Sequence, residues 1–390
     1  MLKFFCFCQD PVKVRFKVAF QEFVSGNNLF TADVYSLLKT SENLIISPFA
    51  IQLVVAFAAS GARSKTAQEM ATALHLPYHP RDTETAWKTL LPTLTQPDHF
   101  HLNLVTKMYL QRNLNLKKDF RTTGKKVFQA DIEFVNFASA AEAVKSINEG
   151  VRKQTGEKIN TWVDDENLLT RDMKMVLLSA AFFKSGWLKP FQFRGSQDFY
   201  KSATDVIKVE MMETIGQFNY FESDSMGAKL IELRFVEESL AMIIVLPDKT
   251  KVSSDISLIE AHLYEVYLAN SFAPELVKVT LPKFKIESLI DFKPILQYLG
   301  MAKAFNGDAE LEGIFHNKGE AFIDLILQKC VINVNEMGLE MDSSDNSDKS
   351  SVNSIPPNVK KFFTADRPFM FFIKSKDLVI LTGKVVTPVT

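Results

Sequence analysis

Two histidines flank a phenylalanine in "HFH", His99 to His101, and two cysteines flank another in "CFC", Cys6 to Cys8. On a strand, residues two apart share a face, so either pair could offer two metal ligands. A zinc site needs three or four, and neither pair has neighbours that complete one. The histidines read as exposed loop or strand-start residues. The cysteines are too close for an easy bridge, and the third, Cys330, lies in an apolar run, so there is no disulfide framework. "GARSKT", Gly61 to Thr66, has the tail of a phosphate-binding loop but lacks the partner glycine of G-x-x-x-x-G-K-[ST]. Neither a G-x-S-x-G elbow nor an H-E-x-x-H helix occurs. Enzymatic chemistry has no visible carrier, and no metal or cofactor is expected.

Two stretches remain. "KKDFRTTGKK" places Lys117, Lys118, Arg121, Lys125 and Lys126 on one short helix, which is either a solvated face or an anion patch for a sulfated polysaccharide. "NEMGLEMDSSDNSDKSSVNSIPP", Asn335 to Pro357, lies between two apolar segments, and six of the thirteen residues from Asp342 to Ser354 are serine. Such a stretch is exposed and open to proteolysis. Phosphorylation there would add negative charge.

The chain around them has 390 residues with 46% hydrophobic content, enough for one large domain or two ordinary ones. A net charge of −1 gives no pull toward nucleic acid or an acidic membrane. The 33 phenylalanines suggest an aromatic core. No apolar run is long enough to span a membrane. The start, "MLKFFCFCQDPVKVRF", has the first half of a secretion signal without an adequate apolar run or cleavage site, and no glycosylation sequon occurs. Taken alone, this favours an intracellular protein or a mis-assigned first exon.

The first third reads helical. "ISPFAIQLVVAFAASG" has Ser47 as N-cap, Pro48 at the first turn and Gly61 as terminator, and is apolar all round. "TAQEMATALHL" begins with Thr66 and Glu69 at capping-box spacing. "AEAVKSINEGVRKQTGEKI" puts Val144, Ile147 and Val151 on one helix face. Strands follow: "KMVLLSAAFF", "AKLIELRF", "SLAMIIVLP", "ELVKVTLPKFKIE", "AFIDLILQKCVINVN", "RPFMFFIKS" and "LVILTGKVV". The first and third of these are near-continuous apolar runs, as for strands covered on both faces. In the fourth, Val277, Val279 and Leu281 alternate with Lys278 and Thr280, giving one wet face. No repeat or Pro/Gly-rich linker divides the chain, so a single mixed α and β domain is expected.

Several of these stretches, in order, are close to signatures of the serpin family. They are "NLIISPFAIQLVVAFAASGARSKTAQEMATAL", "INEGVRKQTGEKI" (with Gly150 where the family has tryptophan), "AAFFKSGWLKPF", "VTLPKFKIES", "LGMAKAF", "VINVNEMG", "FTADRPFMFFI" and "GKVVTP". The chain resembles a serpin over residues 25–390, with an insect-type wording in places, and residues 1–24 stand as an N-terminal extension. The resemblance implies an α+β fold of three β-sheets and about eight to nine helices, with a reactive-centre loop at about 336–357. In inhibitory members a protease cleaves this loop as bait, and the freed segment enters the main sheet as an extra strand. By resemblance, Glu336, Gly338, Leu339, Glu340 and Met341 form the hinge. Val352, Asn353 and Ser354 bracket the scissile bond. Ser47, Ala50, Ser179 and Gln328 occupy the shutter, where the sheet parts, and Trp187 the breach at its head.

Insertion can be tested on paper, because side chains alternate faces along a strand. Leu339, Met341, Ser343, Asp345, Ser347 and Lys349 would enter the core. Inhibitory relatives have a small residue at Leu339 and a run of small residues after it. Leu339 and Met341 are bulky. Asp345 and Lys349 are charged, and burial of an unpaired charge costs several kcal/mol. Three of four shutter positions also depart from the family pattern, so that network is rebuilt or abandoned. The expectation is a non-enzymatic, monomeric serpin with weakened or lost inhibition, binding an unknown protein or small ligand. The alternative is a working inhibitor of a serine or cysteine protease. The resemblance favours an extracellular location, the N-terminus a cytoplasmic one.

Overall fold

The computed structural model describes residues 11–390, except 39, 96–100, 156, 158–161, 163–167, 238, 250–255, 270, 342–357 and 390. Residues 11–16 and His101 are described by their backbone alone. Among the described residues six helices come early: α1 (Pro11–Leu37), α2 (Pro48–Ser60), α3 (Ser64–Ala73), α4 (Pro80–Thr95), α5 (Lys118–Val127) and α6 (Ala140–Gln154). Three short ones follow: α7 (Ile256–Glu260), α8 (Leu263–Tyr267) and α9 (Lys293–Tyr298).

The first eight strands are β1 (Leu44–Ile46), β2 (His101–Gln111), β3 (Asp131–Val135), β4 (Met175–Gly186), β5 (Gln192–Tyr200), β6 (Val206–Ser223), β7 (Ala228–Arg234) and β8 (Leu240–Pro247). The others are β9 (Ala273–Pro282), β10 (Phe284–Asp291), β11 (Leu325–Val334), β12 (Gly338–Leu339), β13 (Lys361–Thr364), β14 (Phe369–Ser375) and β15 (Leu378–Val385).

These strands form a six-stranded sheet, β10-β11-β12-β4-β2-β3, and a nine-stranded one, β1-β15-β14-β8-β7-β6-β9-β13 with β5 on β6. The three sheets expected are present, two of them joined because β6 runs for 18 residues and pairs with β5, β7 and β9 along its length.

Helix α2 forms as its sequence dictates: the Ser47 hydroxyl accepts from the Ala50 amide, Pro48 needs no donor, and Gly61 closes the last turn. Its residues from Pro48 to Ala58 are all buried. Strands β4 and β8 are covered on both faces, as their continuous apolar runs require. Helix α6 lies across the six-stranded sheet, with Ala143, Ile147 and Val151 buried against Val105, Tyr109, Leu178 and Leu327. Gly150 leaves no hole there, because a Cβ would stand 2.9 Å from both the Lys107 ammonium and the Tyr109 hydroxyl.

Three expectations need correction. The Thr66/Glu69 capping box does not form, because α3 starts earlier, at Ser64. The distant Glu310 carboxylate takes the Lys65 and Thr66 amides instead, at 3.1 and 3.2 Å. Glu69 caps another segment, accepting from Ala302 and Lys303. The stretch "ELVKVTLPKFKIE" is two strands in different sheets, since Pro282 ends β9 and the Lys283 amide turns to the Glu210 carbonyl. On β9, Lys278 stays half-open beside Glu213 at 3.0 Å, but Thr280 is buried, so the wet face is narrower than alternation implies.

Candidate functional site

The site is built at the head of the seam between β4 and β11. Below, these strands pair directly in parallel, from Leu325↔Val176 to Val331↔Phe182. Above, they part, and β12 fills the gap. Leu339 pairs with Val334 of β11 and with Ser185 of β4, antiparallel to both. Its side chain is 0% exposed.

A tight turn delivers it. The Asn335 side-chain oxygen accepts from the Met337 and Gly338 amides at 2.9 and 3.2 Å, and the Asn335 amide donates to the Gly338 carbonyl at 3.0 Å. Gly338 has φ +151°, and a Cβ there would collide with the Ser185 carbonyl oxygen. Only glycine fits. The strand then stops. Glu340 has φ +52°, in the left-handed region that side chains rarely adopt. Its amide donates to the Asn333 carbonyl at 2.8 Å, and the Asn335 side-chain amide holds the Met341 carbonyl at 2.6 Å. Glu340 and Met341 are half-buried.

Trp187, just past β4, grips the same turn. Its amide donates to the Met337 carbonyl at 2.9 Å and its indole N–H to the Asn335 carbonyl at 3.0 Å, while the Phe191 amide reaches the Glu336 carbonyl at 2.8 Å. The indole stacks on Phe235 at 4.9 Å. Glu336 lies 3.5 Å from the Lys283 ammonium, which also meets Glu210 at 3.0 Å. Burial pushes the Lys283 pKa down, but Glu210 and Glu336 outweigh it and leave the group raised.

Lower on the seam, where the resemblance puts the shutter, Gln328 clamps the Ser47 backbone. Its carbonyl oxygen accepts from the Ser47 amide at 2.9 Å, and its N–H₂ donates to the Ser47 carbonyl at 2.8 Å and to the Ser179 hydroxyl at 3.4 Å. The Ser47 hydroxyl donates to the Ile380 carbonyl at 2.8 Å. Ala50 takes part only through its amide. The network is therefore rebuilt, with a long amide joining sheet to helix α2. Two residues along β11, burial pushes the Cys330 thiol up to about 12.

The basic stretch forms α5, with Phe120, Gly124 and Val127 buried and Lys118, Arg121, Lys125 and Lys126 exposed. Two members also have structural work. Lys117 donates to the Glu312 carbonyl, and Arg121 bonds the Ile132 carbonyl at 3.2 Å with its guanidinium over Phe134. Val352, Asn353 and Ser354, with the rest of 342–357, lie outside the described residues, as do Cys6, Cys8 and His99. Among the described residues no group of three or more His, Cys, Asp or Glu could hold a metal.

Sequence reasoning passed over Asn335 and Lys283. The first had a readable signal, an Asn three residues before a Gly. The second had none, since its partners Glu210 and Glu336 are remote in the chain.

A short strand, β12, thus sits between two strands that pair in parallel below it, at the head of the six-stranded sheet. The chain belongs to the serpin family: residues 25–388 match the family described as Serpin (serine protease inhibitor). Among its relatives, the uncharacterized serpin-like protein TK1782 of Thermococcus kodakarensis is 32% identical over 94% of this chain and 85% of its own. Serine protease inhibitor 42Dd of Drosophila melanogaster is 29% identical over 91% of this chain and 95% of its own. Among solved structures, Serpin48, described as a highly specific serpin of the insect Tenebrio molitor, has a TM-score of 0.85 at 35% identity, covering 94% of this chain and 98% of that one. Uncleaved ovalbumin gives 0.83 at 25% identity, covering 94% of this chain and 100% of that one.

Proposed function

We propose that this serpin has weakened or lost protease inhibition, with a loop that seats at its head and goes no further. The observation that carries this reading is Glu340. Insertion needs an extended strand beyond Leu339, and the backbone instead turns left-handed at the next residue. The register of β12 adds an energetic reason. Continued by two residues at a time, the pairing would set Met341 between Phe183 and Ile332, and Ser343 between Ala181 and Cys330. Asp345 would then arrive between Ser179 and Gln328. Both N–H₂ hydrogens of Gln328 are already engaged, by Ser47 and Ser179, so the carboxylate would meet little more than one hydroxyl. Burial of a poorly paired charge costs several kcal/mol. Such a protein is non-catalytic and monomeric, and it binds a protein or small ligand outside the cell.

The test is thermal unfolding before and after the loop is nicked with a broad elastase. The melting temperature should move by less than about 5 °C, the scale of 1–2 kcal/mol in a domain of this size. A much larger rise would mean that the cut segment enters the sheet, which overturns the reading.

A second reading has one observation in its favour. Leu339, though bulky, is fully buried at the head of the seam without displacing the β4 and β11 pairs below. In that reading the protein inhibits a serine or cysteine protease that cuts near Val352 to Ser354. A complex with an elastase-like protease that survives denaturing electrophoresis would establish it.

A further inference from the structure

Beside Trp187, the turn after β4 and strands β6, β7 and β9 enclose a pocket of about 260 Å³. Its buried floor is Trp187, Phe218 and Leu233, with Phe191 beside them. Its rim is basic. Lys189 and Arg234 are both exposed, and among the described residues Lys189 has no carboxylate partner. Among the described residues the one carboxylate lining the pocket is Glu232, and it is already satisfied. It accepts from Asn219 at 2.9 Å and from the Arg234 Nε at 2.9 Å, and lies 4.0 Å from the Lys374 ammonium. That bond fixes the guanidinium by one nitrogen and leaves its terminal nitrogens for a further acceptor.

We propose that this pocket binds a small planar aromatic acid, with its rings on the apolar floor and its carboxylate against Lys189 and Arg234. Size sets the upper limit. Sites for drug-sized molecules run from about 300 to 1,000 Å³, so this one takes a bicyclic ring and a single acid group. Charge sets the class. With Lys189 and Arg234 against the single carboxylate Glu232, the rim carries one surplus positive charge, which favours an anion and would leave a neutral amide poorly held. The same acid steadies the hinge, because the Trp187 and Phe191 amides and the Trp187 indole N–H hold the Met337, Glu336 and Asn335 carbonyls. The site is read in the uncleaved chain and does not rest on whether the protein inhibits a protease.

The experiment titrates the full chain with 2-naphthoate, followed by calorimetry. Saturable one-to-one binding is expected, with a Kd on the order of 100 μM for a ligand of this size. The neutral isostere 2-naphthamide should bind about tenfold or more weaker, and Lys189→Met should weaken naphthoate by about tenfold, the scale of one charge-assisted hydrogen bond. Lys189 is exposed, so this variant should fold, which its far-UV spectrum would verify. Arg234→Gln should weaken naphthoate as well. Equal binding of acid and amide, unchanged affinity in both variants, or no saturation at millimolar naphthoate would overturn the site. Amide exchange at Gly338 and Leu339 should slow at saturating naphthoate, and unchanged exchange would overturn the link to the hinge.

Discussion

Gly338 and Glu340 hold opposite ends of a two-residue strand, and only one of them was legible. A glycine at the close of "NEMG" is a recognisable signal, and the carbonyl of Ser185 explains why no side chain is tolerated there. Gly338→Ala should cost about 1–3 kcal/mol, read as a lower urea midpoint. If Leu339 comes out with it, exchange at the Leu339 amide should rise in step. The left-handed turn at Glu340 had no sequence signal, because it is imposed by bonds to Asn333 and Asn335 on a neighbouring segment. Cys330 permits a test with a definite sign. Its pKa is raised by burial from an unfolded value of about 8.5 to about 12. The group therefore contributes full stability below about pH 8.5, lost as pH rises toward the folded value. Between pH 8.5 and 10 that loss is about 2 kcal/mol. Urea midpoints at the two pH values should fall further for the native chain than for Cys330→Val, and equal slopes would refute the assignment.

At the scale of elements, local rules worked where a helix or strand satisfies itself and failed where a distant group intervenes. Helix α2 was readable from Ser47, Pro48 and Gly61 because its cap is internal. The start of α3 was not, because its capping acid, Glu310, comes from a segment more than two hundred residues away. The break between β9 and β10 was hidden in a continuous alternation, although Pro282 marked it in retrospect. The Gln328 clamp belongs at this scale, since it ties β11 to the first turn of α2. Gln328→Ala would leave the buried Ser47 amide without a partner, while the Ser47 carbonyl keeps the Ala50 and Ile51 amides. A loss of about 2–3 kcal/mol is expected, measured by urea unfolding. A loss below about 0.5 kcal/mol would show that the clamp is dispensable.

At the scale of the whole molecule, the basic face of α5 is a surface whose charge suggests a large partner. Replacement of Lys118, Lys125 and Lys126 by alanine leaves the contacts of Lys117 and Arg121 in place. The triple variant should elute from immobilised heparin at lower salt than the native chain. Unchanged elution would mark the face as merely solvated. The order of the strands along the chain has another consequence. Strand β15 pairs with β1, and β14 lies between β15 and β8, so the link between β1 and β8 in the nine-stranded sheet is made from residues 369–385. Asn27 and Asn28 likewise reach the carbonyls of Val379 and Asp377. A ribosome adding 5–20 residues per second needs roughly 7 to 28 s to travel from the end of β8 to the end of β15. Throughout that interval β1 and β8, buried along their whole length in the finished protein, wait with open apolar edges. The nascent chain is thus most prone to clump while its last strands are still being translated, and those two edges are where a molecular chaperone would have to hold it.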